Sequence, residues 1–238
     1  MKKRLPGIPE VAAVAAITAV TAGPAYAAPK VDQLVVFKNG AAVQKRVSAG
    51  QAKVKIGKKR CAAAGGTALA ALVRSRIGAI QVHDYGSCSA NPADGAGLYV
   101  KRIRKDAARG VNGWVYKVGN KAATAGAADP TGPFGSGRLR SGARVTWFFC
   151  HMGSSGCQRT LAVAARALGG GQARVTVRAF DDRGKARAAA GATVHVGGAT
   201  ATTDSHGDAT VTASPGVRKV YAQRKGLVRS YRERIDIT

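Results

Sequence analysis

The first half of the chain switches between two hydrophobic periods. Val31 to Phe37 is apolar and β-branched, Asn39-Gly40 is a tight-turn pair, and Ala41 to Val47 supplies a hairpin partner. In Lys53-Val54-Lys55-Ile56 basic and apolar residues alternate, which predicts a strand burying Val54 and Ile56 and turning both lysines to solvent. The period then changes. Leu69, Leu72 and Val73 form an i, i+3, i+4 stripe behind Thr67, a helix-capping residue, so a helix is predicted from Ala68 to about Arg76, stopped by Gly78. Ala79 to Tyr85 returns to a strand, Gly86 to Gly97 is a loop, and Leu98 to Lys105 places apolar residues at 98, 100 and 103. Trp114, Tyr116 and Val118 share one strand face. The unbroken run Val145 to Phe149 suits a strand covered on both faces. One helix among several strands predicts an α+β domain with a mixed sheet over 28–165.

The three glycines at 169–171 mark 166–172 as a linker. Beyond it, Ala173 to Phe180, Ala192 to Val196, Ala199 to Thr203, Asp208 to Ala213, Val217 to Gln223 and Arg229 to Ile237 are short Val/Thr/Tyr-rich runs between turn signals. That punctuation predicts an all-β sandwich over 173–238.

Composition changes the picture in two ways. Of 238 residues, 47 are alanine, so large core-forming side chains are few and two small cores are expected rather than one. The net charge is +26, and it is uneven: 28–168 holds 23 basic and 5 acidic residues, 169–238 only 12 and 6. Any anion-binding surface is therefore expected mainly on the first domain, at Lys53, Lys55, Lys58, Lys59, Arg60, Lys101, Arg102, Arg104 and Lys105. The N-terminus, Lys2-Lys3-Arg4, an apolar stretch from Val11 to Ala22, then Ala25-Tyr26-Ala27, reads as a cleaved secretory signal over 1–27, its apolar run too short to span a membrane. A secreted or cell-envelope location follows as the expectation.

Export favours disulfides. Cys61, Cys88, Cys150 and Cys157 allow three connectivities; we take Cys61 with Cys88 and Cys150 with Cys157, the second closing a short Gly/Ser turn. The competing metal reading would use Cys150, His151 and Cys157, a spacing that matches no common zinc pattern. The chain holds no Gly-x-Ser-x-Gly, His-Glu-x-x-His or phosphate-loop motif. Ser205, His206 and Asp208 fall in one predicted turn, and His83 and Asp84 point to opposite strand faces. No catalytic residue, metal or cofactor is assigned.

Gly113-Trp114-Val115-Tyr116-Lys117-Val118-Gly119-Asn120, a loop, and Gly142-Ala143-Arg144-Val145-Thr146-Trp147-Phe148-Phe149 resemble the paired strand motifs of domains of unknown function related to the C-terminal domain of transcobalamin and intrinsic factor. The resemblance covers about Lys30 to Val163. It implies a small ligand, a corrinoid or similar compound, held by Trp114, Tyr116 and the loop to Leu139, with Trp147 on the partner strand. Gly191-Ala192-Thr193-Val194 and Ala201-Thr202-Thr203-Asp204-Ser205-His206-Gly207-Asp208-Ala209-Thr210-Val211 resemble carboxypeptidase-regulatory-like and bacterial Ig-like modules, which implies a spacer or display support.

Two function classes remain from the sequence. The first is an exported, non-catalytic binding or adhesion protein that engages anionic surface polymers or lipids through its basic residues. The second is a small-molecule binder using the aromatic strands. Nucleic acid is expected only as a nonspecific, salt-sensitive partner.

Overall fold

The computed structural model describes residues 27–238. The leader assigned to 1–27 lies, except for Ala27, outside the described residues.

The first domain opens with the expected hairpin, β1 (Lys30–Val36) and β2 (Ala42–Ser48). A second hairpin, β3 (Ala52–Ile56) and β4 (Lys59–Ala63), buries Val54 and exposes Lys53 and Lys55. The helix α1 (Ala68–Arg74) starts where the Thr67 hydroxyl oxygen accepts the Ala70 N–H, and Leu69 and Leu72 are buried beneath it. A three-stranded meander follows: β5 (Ile80–Asp84), a 3-10 turn at Pro92–Gly97, β6 (Leu98–Ile103) and β7 (Asp106–Ala107). Leu98, Val100 and Ile103, the predicted apolar positions, are all buried.

The aromatic strands β8 (Gly113–Val118) and β10 (Arg144–Cys150) pair antiparallel, with β9 (Lys121–Ala122) folded back on β8. They complete a sheet in the order β2-β1-β10-β8-β9, in which β1 and β10 run parallel. The run read as covered on both faces is so covered. Val145, Trp147 and Phe149 enter the first core, while Phe148 and Cys150 enter a separate cluster on the sheet's opposite face.

The second domain is a sandwich of two antiparallel sheets. Its strands are β11 (Thr160–Gly169), β12 (Gln172–Phe180), β13 (Ala186–Ala188), β14 (Thr193–Val196), β15 (Ala199–Thr202), β16 (Asp208–Thr212), β17 (Gly216–Gln223) and β18 (Glu233–Ile237). One sheet contains β11, β12, β13 and β16, the other β15-β14-β17-β18. Val175, Val177, Val194, Val196 and Val220 form the core between them.

The linker expected at 166–172 is corrected here. Leu161 to Ala167 pair with Ala173 to Ala179, so the three glycines make a hairpin turn inside the sandwich. The glycines do break the pattern, but between two paired strands. The passage between domains is the Cys150–Cys157 disulfide loop instead. Both predicted disulfides are present, Cys61 to Cys88 and Cys150 to Cys157. Replacing Cys150 and Cys157 by serine should cost roughly 2 to 3 kcal/mol by loop entropy; denaturation midpoints equal to the parent protein's would refute that value.

The domains share a packed junction. The segment between β17 and β18 lays Val228 and Tyr231 against Leu34, Val36 and Phe148 on the outer face of β1 and β10. The Tyr231 hydroxyl donates to the Asp32 carbonyl at 3.1 Å, and Gln44 exchanges two hydrogen bonds with the Arg232 backbone. Three of the four ion pairs among the described residues, Lys117 to Asp182, Arg144 to Glu233 and Arg159 to Asp181, join a base from before the sandwich to one of its acids. Lys117 is 0% exposed and also donates to the Phe180 and Asp181 carbonyls. Burial lowers its pKa, and Asp182 opposes that shift.

Candidate functional site

Trp114, Tyr116 and Trp147 come together at one cleft. The register sets Tyr116 opposite Trp147 on the core-facing side of β8 and β10, where their rings stack at 5.1 Å, and Trp114 opposite Phe149, which it meets edge-on at 5.9 Å. The rings are almost wholly covered, Trp114 at 2% and Trp147 at 1% exposure, so they form the floor rather than a flat stacking platform. The opposite wall is the β5–β6 hairpin, with Tyr85, Leu98 and Tyr99, and the roof is the loop that carries Ala123, Ala125 and Gly126. The cleft, open to solvent on one side, has a volume of about 370 Å³.

Local chemistry fixes that loop. The Tyr116 hydroxyl donates to the Ala125 carbonyl at 3.0 Å, tying roof to floor. A side chain at Gly126 would collide with the Ala96 carbonyl, so glycine lets the roof close on the 3-10 turn. The Trp114 indole donates to the Asp106 carbonyl at 2.8 Å. The Trp147 indole nitrogen differs. It is buried and has no hydrogen-bond partner. Burial pushes the Tyr116 and Tyr99 phenols up, so both stay neutral hydrogen-bonding groups at physiological pH. Asp182 of the sandwich and Cys157 of the disulfide complete one end of the cleft.

The nine predicted basic residues divide. Lys53, Lys55 and Arg60 are exposed on the β3–β4 hairpin, with Lys55 directly opposite Arg60 in register. Lys58 and Lys59 are exposed at its turn end. Lys53 and Lys55 line a groove of about 400 Å³ with Arg76 over an apolar floor of Val54, Val73 and Ile80. Lys101, Arg102 and Lys105 are exposed at the end of β6 and in the turn after it. Arg104 is committed to the fold: its Nε donates to the Ile77 carbonyl at 2.6 Å and its guanidinium lies 4.7 Å over the Phe37 ring.

Of the residues weighed for catalysis, His83 packs edge-on against Tyr85, and Asp84 and the Ser205 to Asp208 group serve turns. An Asp84 carboxylate oxygen accepts the N–H groups of Gly86, Ser87 and Cys88. Asp204 accepts those of His206 and Asp208. Both thiols of the metal reading are bonded to each other, and among the described residues no three His, Cys, Asp or Glu side chains cluster as metal ligands. Sequence reasoning missed Tyr85, Tyr99 and Asp182 as cleft residues. The Leu98-Tyr99-Val100 alternation held a signal for Tyr99; nothing local held one for Asp182, which arrives from the other domain.

Compared with family models, with curated proteins and with solved structures, the chain shows no match.

Proposed function

We propose that this chain is an exported, non-catalytic binding protein whose first domain holds a compact, mostly apolar ligand in the aromatic cleft. One observation carries the reading: the aromatic residues singled out from sequence, on two separate strands, meet at one cleft. Ligand pockets are mostly apolar with a few placed polar groups, and this volume lies near the lower end of their usual range of roughly 300 to 1,000 Å³. The ligand is thus smaller than a corrinoid. Export is supported by the leader pattern and by two disulfides, which persist in oxidising compartments.

The chain's two tryptophans, Trp114 and Trp147, both line this cleft, so intrinsic fluorescence reports on it directly. Titration with the apolar probe 1-anilinonaphthalene-8-sulfonate should give a saturable change, with a corrinoid run beside it. Ala125→Phe, which fills the space under the roof, should abolish the response while leaving the melting temperature within a few degrees. Equal binding by parent and variant would sink the cleft.

A second reading, anionic polymers on the β3–β4 hairpin, has its own support. Like charges directly opposite on paired strands destabilise the pair, and Lys55 and Arg60 stand so without a carboxylate among their ion-pairing partners. A bound polyanion would offset that cost. Reversing Lys53, Lys55, Arg60 and Arg102 to Glu should reduce retention on an anionic polymer far more than reversing Arg183, Lys185, Arg187 and Lys219. Equal losses would leave only bulk attraction.

A further inference from the structure

The groove beside the β3–β4 hairpin is built from three elements: Lys53, Val54 and Lys55 on β3, Val73 in the last turn of α1 with Arg76 just after it, and Ile80 at the start of β5. Its rim is cationic and its floor apolar. Lys53, Lys55 and Arg76 are exposed, Val54 is buried, Val73 and Ile80 are half-buried, and no aspartate or glutamate lines the groove. The fold employs the neighbouring bases but not these. Lys45 donates to the Ser75 carbonyl at 2.9 Å, Arg74 to the Gln51 carbonyl at 2.7 Å and Arg104 to the Ile77 carbonyl at 2.6 Å. Among the described residues no side-chain hydrogen bond or ion pair engages Lys53, Lys55 or Arg76.

Arg76 is the informative residue. Its φ is +48°, in the left-handed region where a side chain strains the backbone and glycine is at ease. It follows Ser75, the C-cap of α1, at the position where helices commonly end on a left-handed glycine. An arginine stands there instead, and the fold makes no use of its guanidinium. Strained backbone of this kind concentrates at ligand sites, where a side chain is held for contact rather than for stability.

We propose that the groove takes a single-chain anionic amphiphile, its oxyanion head among Lys53, Lys55 and Arg76 and the first carbons of its tail on Val54, Val73 and Ile80. The arginine fork and the two ammonium groups meet the head as charge-assisted donors. The floor decides the rest. A bare polyanion would answer the cations and leave the apolar floor wet, and a neutral alkyl chain would do the reverse; only a ligand with both parts answers both. The proposal rests on the reading of the β3–β4 hairpin as an anion-binding surface, through Lys53 and Lys55, and gives one part of that surface a defined occupant. It is independent of the aromatic cleft.

The test titrates octyl phosphate, kept below its micelle concentration, into the full mature chain by calorimetry, beside inorganic phosphate and the neutral octyl glucoside. Octyl phosphate should bind saturably, at least tenfold tighter than either, and should shift the methyl NMR signals of Val54, Val73 and Ile80. Arg76→Gly should weaken it at least fivefold while the melting temperature holds or rises, because glycine relieves the left-handed strain; an arginine serving only the fold would lower the melting temperature and leave binding alone. Ala125→Phe, in the aromatic cleft, should change it less than twofold. Absence of saturable binding, equal affinity for octyl phosphate and inorganic phosphate, binding untouched by Arg76→Gly, or binding lost in Ala125→Phe overturns the proposal. Selective polymer retention without octyl phosphate binding sinks the groove and keeps the anionic surface, whereas octyl phosphate binding without selective retention keeps the groove and sinks the polymer.

Discussion

Asp182→Ala should destabilise the protein by roughly 3 to 5 kcal/mol, the usual cost of leaving a buried charge without its partner. Lys117 is 0% exposed on the outer side of β8, and Asp182, 3.2 Å away, is its only carboxylate at ion-pair distance among the described residues. Two carbonyls remain to it, and Asp181 acts on it only from beyond ion-pair distance. Because burial already lowers the Lys117 pKa and Asp182 holds it up, removing Asp182 must lower it further. A base whose pKa is depressed in the folded state binds fewer protons there than in the unfolded chain. Stability therefore rises as pH climbs from the folded-state pKa toward the ordinary lysine value of about 10.4, and is lost as pH falls. Urea denaturation at pH 7 and pH 9.5 should show the variant's deficit shrinking at the higher pH. The double change Lys117→Met with Asp182→Leu should recover most of the loss, since an apolar pair has no charge to bury. A deficit under about 1 kcal/mol at pH 7 would mean that the junction does not depend on this pair.

Gly207→Ala should cost roughly 3 kcal/mol or more, combining a left-handed backbone penalty with overpacking against main chain. Gly207 has φ +79°, and a Cβ there would stand 2.5 Å from the Val177 carbonyl oxygen and 2.9 Å from the Ala189 nitrogen. Neither neighbour can yield cheaply, because the Val177 N–H donates to the Gly207 carbonyl and the Val177 carbonyl accepts from Ala189. Gly216→Ala is the matched control. Gly216 also has positive φ, +100°, but nothing lies within 4 Å of its would-be Cβ, so it should lose only the backbone share. Thermal melts that rank the two variants equally would remove the packing component.

These positions also mark where the sequence could be read and where it could not. The Thr-Asp-x-x-Gly turn is local: Asp204 accepts backbone N–H groups within four residues of itself, so residue types alone disclosed it. The same holds for the Thr67 cap and for β3, whose alternation names its buried face. Lys117 was illegible because Trp114, Tyr116 and Val118 mark one face of β8 as the core and thereby assign Lys117 to solvent. That assignment is right for the first domain alone; the second domain covers it. β11 was hidden for another reason. Leu161, Val163 and Ala165 alternate inward, but alanines fill most of the intervening positions, so the polar half of the pattern is missing and the following glycines dominate the reading. The cleft was half legible. Its aromatic floor lies in two motifs, whereas its roof is alanine and glycine, which carry no signature of a binding wall.

The parallel pairing of β1 with β10 sets Asp32 beside Arg144 and Val36 beside Phe148, with every hairpin of the first domain strung between them. Such a contact is paid for in chain entropy before it returns any burial, and topologies rich in distant pairings reach the native state slowly. A chain delivered N-terminus first can pair one edge of the apolar β1 with β2 at once but must leave the other open until β10 has arrived, and the outer faces of β1 and β10 wait longer still, for Val228 and Tyr231. The disulfide from Cys61 to Cys88 falls inside that span and shortens the stretch left to search once it has formed. Kinetic vulnerability should therefore concentrate in β1, an early and strongly apolar segment whose second edge waits for β10 and whose outer face waits for Val228 and Tyr231.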